Sequence, residues 1–268
     1  MKPRACITLS WDDGHPLDMQ IADLMARHGL RGTFYIPRTA AGGTLSTHQI
    51  RDLAGHFEIG AHTLGHSDLT AVSDAQARRE IVGSMRWLED VTGQPCVSFC
   101  PPRGRFRRRH LTMMEEAGYR LVRTVELLSL DWPRPRGTLW EMPTSVQAWP
   151  HDARSYVQNA TRRGAAGNLW RYLRRGSGRQ WPELLSALLA QAERDGGVVH
   201  LWGHSWEVTD GGGWDTLAYA MRLLAERTAT MPSLTNAEVG RIAAAGHRRA
   251  SIATKGEGSG RVSSSAHV

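Results

Sequence analysis

The stretch ITLSWDDGHP, residues 7–16, joins an apolar strand-like run to two adjacent carboxylates, Asp12 and Asp13, followed by Gly14. Adjacent carboxylates repel each other, so their place at the end of a buried strand needs a reason. A divalent cation offsets this repulsion, and a carboxylate left beside the metal is suited to act as general base for an attacking water. The alternative is a turn in which one aspartate caps the next helix and complements its dipole.

Strand-like and helix-like segments alternate along the rest of the chain. The predicted strands are ACITLS, GTFYIP, FEIGA, CVSFC, RLVRTV, LWEMP, GVVHLWGH and PSLTN. Helices are predicted over 16–28, from Ser46 to Ala54, from Ser73 to Gly93, and over 108–117, 153–163, 182–194, 214–227 and 236–245. Repeated strand–helix units indicate an α/β fold with a parallel sheet or (β/α) barrel. We predict one catalytic domain over 1–248 and a disordered Ser/Gly-rich tail over 249–268.

Composition limits the class of protein. The chain has 268 residues, a formal net charge of +7 and three cysteines, which do not form a disulfide framework. The amino terminus enters a strand without an apolar signal region, and no run approaches the ~20 apolar residues of a membrane span. We therefore predict a cytoplasmic protein with no membrane partner. The arginine-rich stretch 162–181 could attract an anionic substrate or nucleic acid, but we favour a solvated helix face with flanking loops. No nucleic-acid partner is predicted, because no nucleic-acid motif accompanies the stretch.

Polar side chains follow several of the predicted strands. His62 and His66 follow the third strand, a CPPRG turn follows the fourth, and His204 follows the strand at 197–204. Active sites of such folds gather at the carboxyl ends of strands. Two histidines and one carboxylate make a metal site that keeps open positions for water and substrate. A chance HxxxH pair in a chain with 12 histidines is the alternative, which the neighbouring Asp-Asp and Pro-Pro turns weaken.

These motifs resemble a known family. ITLSWDDGHP with TFYIP, IGAHTLGHSDLT and SFCPPRGRF look like the first three motifs of the polysaccharide deacetylase family, carbohydrate esterase family 4. The resemblance follows the order of the motifs over roughly residues 5–246. It implies a distorted (β/α) barrel and a metal-dependent N-deacetylase, usually with zinc. Carried over, it makes Asp12 the general base and Asp13, His62 and His66 the metal ligands.

The third motif departs from the family pattern. The family has an arginine that holds the base carboxylate, and Cys100 stands at that position here. Arg103, Arg105 and Arg123 are candidate replacements, and the sequence does not choose among them. The resemblance also implies that the backbone N–H of Arg103 helps to hold the oxyanion.

The last motif is looser than the others. The resemblance implies a histidine as general acid, and we favour His204 over His200 because an imidazole inside a strand usually packs or hydrogen-bonds in place. Glu207 or Asp131 is the candidate partner that orients it. The predicted substrate-binding residues are Pro102, Trp202, Trp206 and Asp131. A tryptophan face suits a sugar ring, whereas core or wall packing is the alternative for either tryptophan.

Together these residues predict an enzyme that releases acetate from an N-acetylated amino sugar. We expect a soluble small molecule, such as an aminoglycoside-like intermediate or a sugar nucleotide. Two alternatives stay open: hydrolysis of another C–N bond, as in a cyclic ureide or imide, and a catalytically inactive carbohydrate-binding protein of the same fold. The missing motif arginine is the main support for the inactive protein. The sequence does not indicate the oligomeric state.

Overall fold

The computed structural model describes residues 2–175, 180–211 and 213–258. Its strands are β1 Ala5–Asp12, β2 Thr33–Ile36, β3 Glu58–Ala61, β4 Ser98–Phe99, β5 Leu121–Arg123, β6 Arg134–Arg136, β7 Leu139–Met142, β8 Val146–Gln147, β9 Gly197–His204 and β10 Ser233–Leu234. Its helices are α1 Asp18–Arg27, α2 Thr47–Ala54, α3 Asp74–Thr92, α4 Arg108–Ala117, α5 Ala153–Arg162, α6 Ala166–Arg175, α7 Trp181–Asp195, α8 Ser205–Gly211, α9 Gly213–Ala225 and α10 Asn236–Gly258. A short 3-10 turn spans Pro102–Gly104.

One sheet organises these elements. Its strand order is β6-β7-β5-β4-β3-β2-β1-β9-β8, with β10 paired to β1. Every pairing is parallel except that between β6 and β7. The path ends at β6 and β8, so the described sheet curls without closing. The predicted α/β fold of the distorted-barrel type is therefore confirmed, in the form of a half-barrel.

The central strand explains why the carboxylate pair lies where it does. All eight residues of β1 are buried, because β2 and β9 flank the strand and helices cover the sheet. Such continuous burial is typical of a parallel sheet covered on both faces. The strand runs directly into Asp13, so its last side chains emerge at the carboxyl edge, where α/β folds place their sites.

The predicted helix caps are confirmed. The Ser46 side chain accepts the backbone N–H of Gln49, whose side chain in turn accepts from the backbone N–H of Ser46. Ser73 likewise accepts the backbone N–H of Gln76 at the start of α3. That helix ends at Gly93 in the left-handed conformation, as glycine favours.

Several elements differ from the sequence-based expectation. The strands β6 and β8 and the helix α8 were not predicted, because they are short. Helix α6 lies within the stretch 162–181, which was interpreted as a helix face with flanking loops but was given no helix bounds. The last helix was expected to end at Ala245 but continues through Gly258. Residues 249–258 are therefore helical where a disordered tail was expected, and 259–268 lie outside the described residues. None of the described helices combines the length and apolar character that a membrane crossing requires.

Candidate metal and catalytic site

Strand register brings the polar strand ends together. Asp12 lies beside Tyr35 of β2 on one side and His204 of β9 on the other. The ends of β3 and β4 are also paired, through Ala61 and Phe99, so the residues that follow them meet at the same edge. The separate motifs of the sequence thereby become one cluster.

Asp13, His62 and His66 form a candidate metal site. Asp13 Oδ1 lies 3.0 Å from His66 Nε2 and 3.4 Å from His62 Nε2, and one ligand atom from each residue lies within 4.8 Å of the other two. Tetrahedral zinc with bonds of about 2.0–2.1 Å would place its ligand atoms about 3.3 Å apart. Asp13 Oδ1 is buried and makes no hydrogen bond among the described residues. The donor set and its spacing therefore fit a divalent metal such as zinc.

The surroundings of His62 prepare its ring for a metal. His62 is buried, and its Nδ1 lies 2.6 Å from the backbone carbonyl oxygen of Cys100. A carbonyl accepts only, so Nδ1 carries the proton and Nε2 presents its lone pair to the site. The strand end that carries Cys100 thus fixes the tautomer of a ligand on the neighbouring strand.

Backbone strain is concentrated around the same site. Asp13, Thr63, His66 and Arg103 all have positive φ angles, between 52° and 79°. Side chains other than glycine adopt this region at a cost, and such residues cluster at functional sites. Gly14 follows Asp13 at φ 59°, where an added Cβ would lie 2.6 Å from the Ile36 side chain. The turn therefore needs a glycine directly after the carboxylate pair.

Glu80 of α3 holds the loop between the two histidines. Its carboxylate accepts the backbone N–H groups of Leu64 at 2.9 Å and Gly65 at 2.7 Å, and Gln76 donates to its other oxygen at 2.9 Å. Glu80 is only 6% exposed, so removing its carboxylate leaves two backbone N–H groups without an acceptor and with little access to water. The contact positions His66, although Glu80 does not itself touch the metal ligands.

We expect Glu80→Ala to weaken zinc binding by about 10- to 100-fold, the usual range for residues that support metal ligands. Competition with a chromophoric chelator measures this affinity. Glu80→Gln keeps one oxygen acceptor and should recover part of the loss, whereas Gln76→Ala leaves both loop contacts in place and should change the affinity little. Unchanged zinc affinity in Glu80→Ala, with the protein folded, would contradict the positioning role.

Arg123 provides the guanidinium that Cys100 cannot. Its Nη2 donates to Asp12 Oδ1, and both side chains are buried, with Arg123 fully so. Val122 pairs with Phe99, so Arg123 lies next to Cys100 and reaches past it to the carboxylate. Cys100 Sγ lies 3.7 Å from the other oxygen, Asp12 Oδ2. The arginine that contacts Asp12 thus comes from β5, one position beyond Val122, which pairs with Phe99.

Two aromatic rings pack against the guanidinium of this ion pair, and neighbouring positive charges keep its carboxylate ionised. The Arg123 guanidinium lies 4.6 Å from the Trp202 ring centre and 5.3 Å from that of Tyr35. Burial raises the pKa of Asp12, but Arg123 and the two nearby histidines, His62 and His204, outweigh burial and hold that pKa below its usual value. Asp12 is therefore a carboxylate at neutral pH, in the form that can accept a proton.

The other two candidate arginines lie elsewhere. Arg105 pairs with Asp68 at 3.1 Å. Arg103 lines the cavity over the site and occupies the strained turn after β4. Only Arg123 contacts Asp12, which decides among the three arginines that the sequence left open.

His204 is the histidine that faces the site. Its Nδ1 lies 2.8 Å from Glu207 Oε2, and its Nε2 lies 3.9 Å from Asp13 Oδ2. Burial lowers the pKa of His204, but the bond to Glu207 and the nearby aspartates raise it to about 9. The protonated ring therefore forms an ion pair with Glu207 on its Nδ1 side and presents its Nε2 side to the cavity.

Glu207 and His200 occupy different surroundings at this strand. Glu207 also accepts from Gln147 Nε2 at 2.9 Å, and Gln147 Oε1 lies 2.9 Å from His151 Nε2. His200 is buried between Ser10 Oγ at 2.9 Å and the Pro143 carbonyl at 3.2 Å. Burial and Arg123 lower the pKa of His200 to about 3, so this ring stays neutral inside the strand.

The predicted substrate-binding residues separate into two groups. Trp202 and Trp206 both line the cavity of about 520 Å³ over the site; Trp206 is 39% exposed and its Nε1 donates to Asp13 Oδ2 at 3.1 Å. Pro102 is buried in its turn and is not among the lining residues. Asp131 was placed wrongly: it lies beside Gly197, at the opposite end of β9 from His204, and its carboxylate pairs with Arg134 at 3.5 Å.

Sequence reasoning missed Gln147, His151 and Glu80. Gln147 ends β8, a strand of two residues that leaves no periodic signal, and His151 follows it in a loop. Glu80 lies 14 residues beyond His66 on a helix whose apolar stripe was recognised, and its place next to Ile81, the first residue of that stripe, was the available signal.

Comparison with known proteins agrees with this geometry. Residues 1–122 match the family model for polysaccharide deacetylase. An uncharacterised 30.6 kDa protein of Geobacillus stearothermophilus is 29% identical over 133 residues, which cover 47% of this chain and 48% of the relative. The peptidoglycan-N-acetylglucosamine deacetylase of Bacillus cereus is 25% identical over 133 residues, 48% of this chain and 47% of the relative. The chain therefore spans about half the length of the curated relatives it matches.

A solved structure extends the likeness to the whole fold. The protein from Mycobacterium smegmatis, provisionally named a polysaccharide deacetylase, superposes with a TM-score of 0.66 at 16% identity, over 94% of this chain and 92% of that one. At this identity the likeness shows the fold. Residues 1–122 thus match the polysaccharide deacetylase family in sequence, and the half-barrel that positions their motifs has the fold of the Mycobacterium smegmatis protein.

Proposed function

We propose that the protein is a metal-dependent N-deacetylase that releases acetate from an N-acetylated amino sugar. The observation that carries this proposal is the pairing of Asp12 with Arg123 beside the Asp13, His62 and His66 cluster. It places a proton acceptor next to a set of metal ligands at one edge of the sheet. A divalent metal held there supplies Lewis-acid polarisation of the amide carbonyl and lowers the pKa of water.

The residues of the chain divide the remaining work. Asp12, kept ionised by Arg123, accepts the proton of the attacking water. The backbone N–H of Arg103, in the turn that lines the cavity, is assigned to hold the amide oxygen as negative charge develops. His204, with a proton on Nε2 and its orientation set by Glu207, gives that proton to the departing amine nitrogen. Acetate and the free amino sugar are the products.

The cavity over the site has the size of a small-molecule site. Its volume of about 520 Å³ falls within the range of small-molecule sites. Trp206 forms an exposed aromatic wall beside Asp13, which suits a sugar ring. We therefore propose a soluble N-acetylated amino sugar as the substrate. The donor set of one carboxylate and two histidines leads us to propose zinc as the metal.

Acetate release tests the proposed function. The metal-free protein is reconstituted with zinc and assayed against soluble N-acetyl sugars, chitin oligomers and peptidoglycan. We expect zinc-dependent acetate from a soluble amino sugar. Acetate from polymer alone would overturn the small-substrate assignment. Absence of acetate from every substrate, with zinc bound, would overturn the enzyme assignment in favour of a binding protein.

A further inference from the structure

A second groove opens directly beside the catalytic cavity. It has a volume of about 980 Å³ and shares with the cavity the residues Arg103, Val125, Ser155 and Asn159. Seven arginines and two glutamates line it. A molecule that occupies the cavity can therefore extend into a strongly cationic groove without leaving the protein surface.

Part of this positive charge is neutralised within the fold. Arg134 pairs with Glu126 at 2.8 Å, and Arg136 pairs with Glu141 at 3.3 Å. Arg105 pairs with Asp68 at 3.1 Å. These three arginines have carboxylate partners within the fold and need no ligand to neutralise their charge.

The four other arginines have no carboxylate partner within the described residues. Arg107 approaches only the carbonyl oxygen of Thr70, at 3.5 Å, and Arg163 only that of Gly104, also at 3.5 Å. Arg103 and Arg162 make no ion pair or hydrogen bond through their side chains in the described part of the chain. The uncompensated charge lies on the side of the groove that borders the catalytic turn Pro102–Gly104.

Arg163 is the most informative of the four. Its side chain is half-buried at the end of α5, and burial lowers the pKa of its guanidinium against the opposing effect of Glu126 and Glu141. A partly buried cation with one long hydrogen bond is costly unless an anion completes it. The five donors of a guanidinium match the oxygens of a phosphoryl group in a bidentate manner.

We propose that this groove binds a phosphoryl group of the substrate, so that the amino sugar to be deacetylated carries a phosphate or diphosphate. The inference rests on the proposed function for the reaction, whereas the phosphate site itself rests on Arg103, Arg162 and Arg163. It places the protein after a step that phosphorylates an N-acetyl amino sugar or links it to a nucleotide.

Binding tests the groove without turnover. Isothermal titration compares glucose 1-phosphate with glucose, neither of which carries an acetyl group. We expect glucose 1-phosphate to bind at least 10-fold more tightly, and Arg162→Gln/Arg163→Gln to abolish that difference. Arg222→Gln, which removes an exposed arginine of α9 away from the groove, is the matched control and should leave the difference unchanged. Equal binding of the two sugars by the wild-type protein would overturn the proposal.

Kinetics test the role of the groove in the reaction. We expect kcat/KM for N-acetylglucosamine 1-phosphate to exceed that for N-acetylglucosamine at least 10-fold, and the double variant to lose this preference for the phosphorylated sugar. A further gain with UDP-N-acetylglucosamine identifies a diphosphate, and no further gain identifies a monophosphate. Acetate release that is equal for all three sugars would overturn the groove assignment and leave the deacetylase intact. Arginine-dependent binding of glucose 1-phosphate without acetate release from any of the three sugars would support the groove assignment and overturn the deacetylase.

Discussion

Replacing Asp12 with asparagine is expected to lower the rate of acetate release by about 10²- to 10⁴-fold, the usual contribution of a positioned general base. Asparagine has the size of aspartate but cannot take the proton of the attacking water. Zinc binding should persist, because Asp13, His62 and His66 are the candidate ligands. The measurement is therefore a pair: turnover on a soluble N-acetyl sugar, and zinc content by elemental analysis of the same sample.

Asp13→Asn provides the matched control for Asp12→Asn. It makes the same chemical change one residue later, at the carboxylate 3.0 Å from His66 Nε2. We expect Asp13→Asn to lose zinc and activity together, whereas Asp12→Asn loses activity alone. Turnover of Asp12→Asn at the wild-type rate would show that another group takes the proton. Loss of zinc from Asp12→Asn instead would assign Asp12 to the metal, as its proximity to His62 and Cys100 also permits.

The parts of the site that sequence reasoning recovered lie at the ends of strands. Asp12, Asp13, His62 and His204 each follow or end a recognisable apolar run, and the carboxyl ends of parallel strands meet at one edge. The local sequence pattern was enough to group these residues, because a residue at the carboxyl end of a parallel strand lies at the same edge of the sheet as the other strand ends. The same holds for the helix caps, which depend on contacts three residues apart.

The parts that the sequence left open depend on contacts between distant segments. Arg123 reaches Asp12 only because Val122 pairs with Phe99, and this register cannot be read from three short strands in one sequence. Asp131 was grouped with His204 without any spatial signal, and the direction of β9 places it at the other end of the sheet. Arg162 and Arg163 belong to a stretch interpreted as solvated charge, whereas the structure shows that both line the groove beside the turn Pro102–Gly104.

The pairing of Arg123 with Asp12 also bears on the choice between enzyme and inactive binding protein. Absence of the family arginine at Cys100 was the main support for an inactive protein. The guanidinium is present, although it comes from β5 rather than β4. The Asp12 carboxylate therefore has a cationic partner, and Cys100 at the motif position no longer argues against the proposed catalysis.

Replacing Arg123 with glutamine is expected to lower the free energy of unfolding by about 3–5 kcal/mol, because it leaves the buried Asp12 carboxylate without its counterion. Acetate release should fall as well, since the carboxylate loses the group that orients it. Chemical denaturation monitored by circular dichroism measures the first effect, and turnover of the folded fraction measures the second. Arg31→Gln is the control, because its pair with Glu238 has the same chemistry at 2.8 Å but is half-exposed and should contribute under about 1 kcal/mol.

A double variant separates the ion pair from the packing of the arginine. Asp12→Asn and Arg123→Gln each leave one buried charge without its counterion, whereas the double variant removes both charges. The loss of stability in the double variant should therefore be smaller than the sum of the two single losses. Additive losses would show that Arg123 stabilises the fold through its contacts with Trp202 and Tyr35 rather than through Asp12. Cys100→Ala tests the remaining neighbour: a thiol 3.7 Å from Asp12 is a weak donor, and its loss should change turnover far less than Arg123→Gln. If instead Cys100→Ala abolishes turnover while Arg123→Gln preserves it, the thiol and not the guanidinium holds the base.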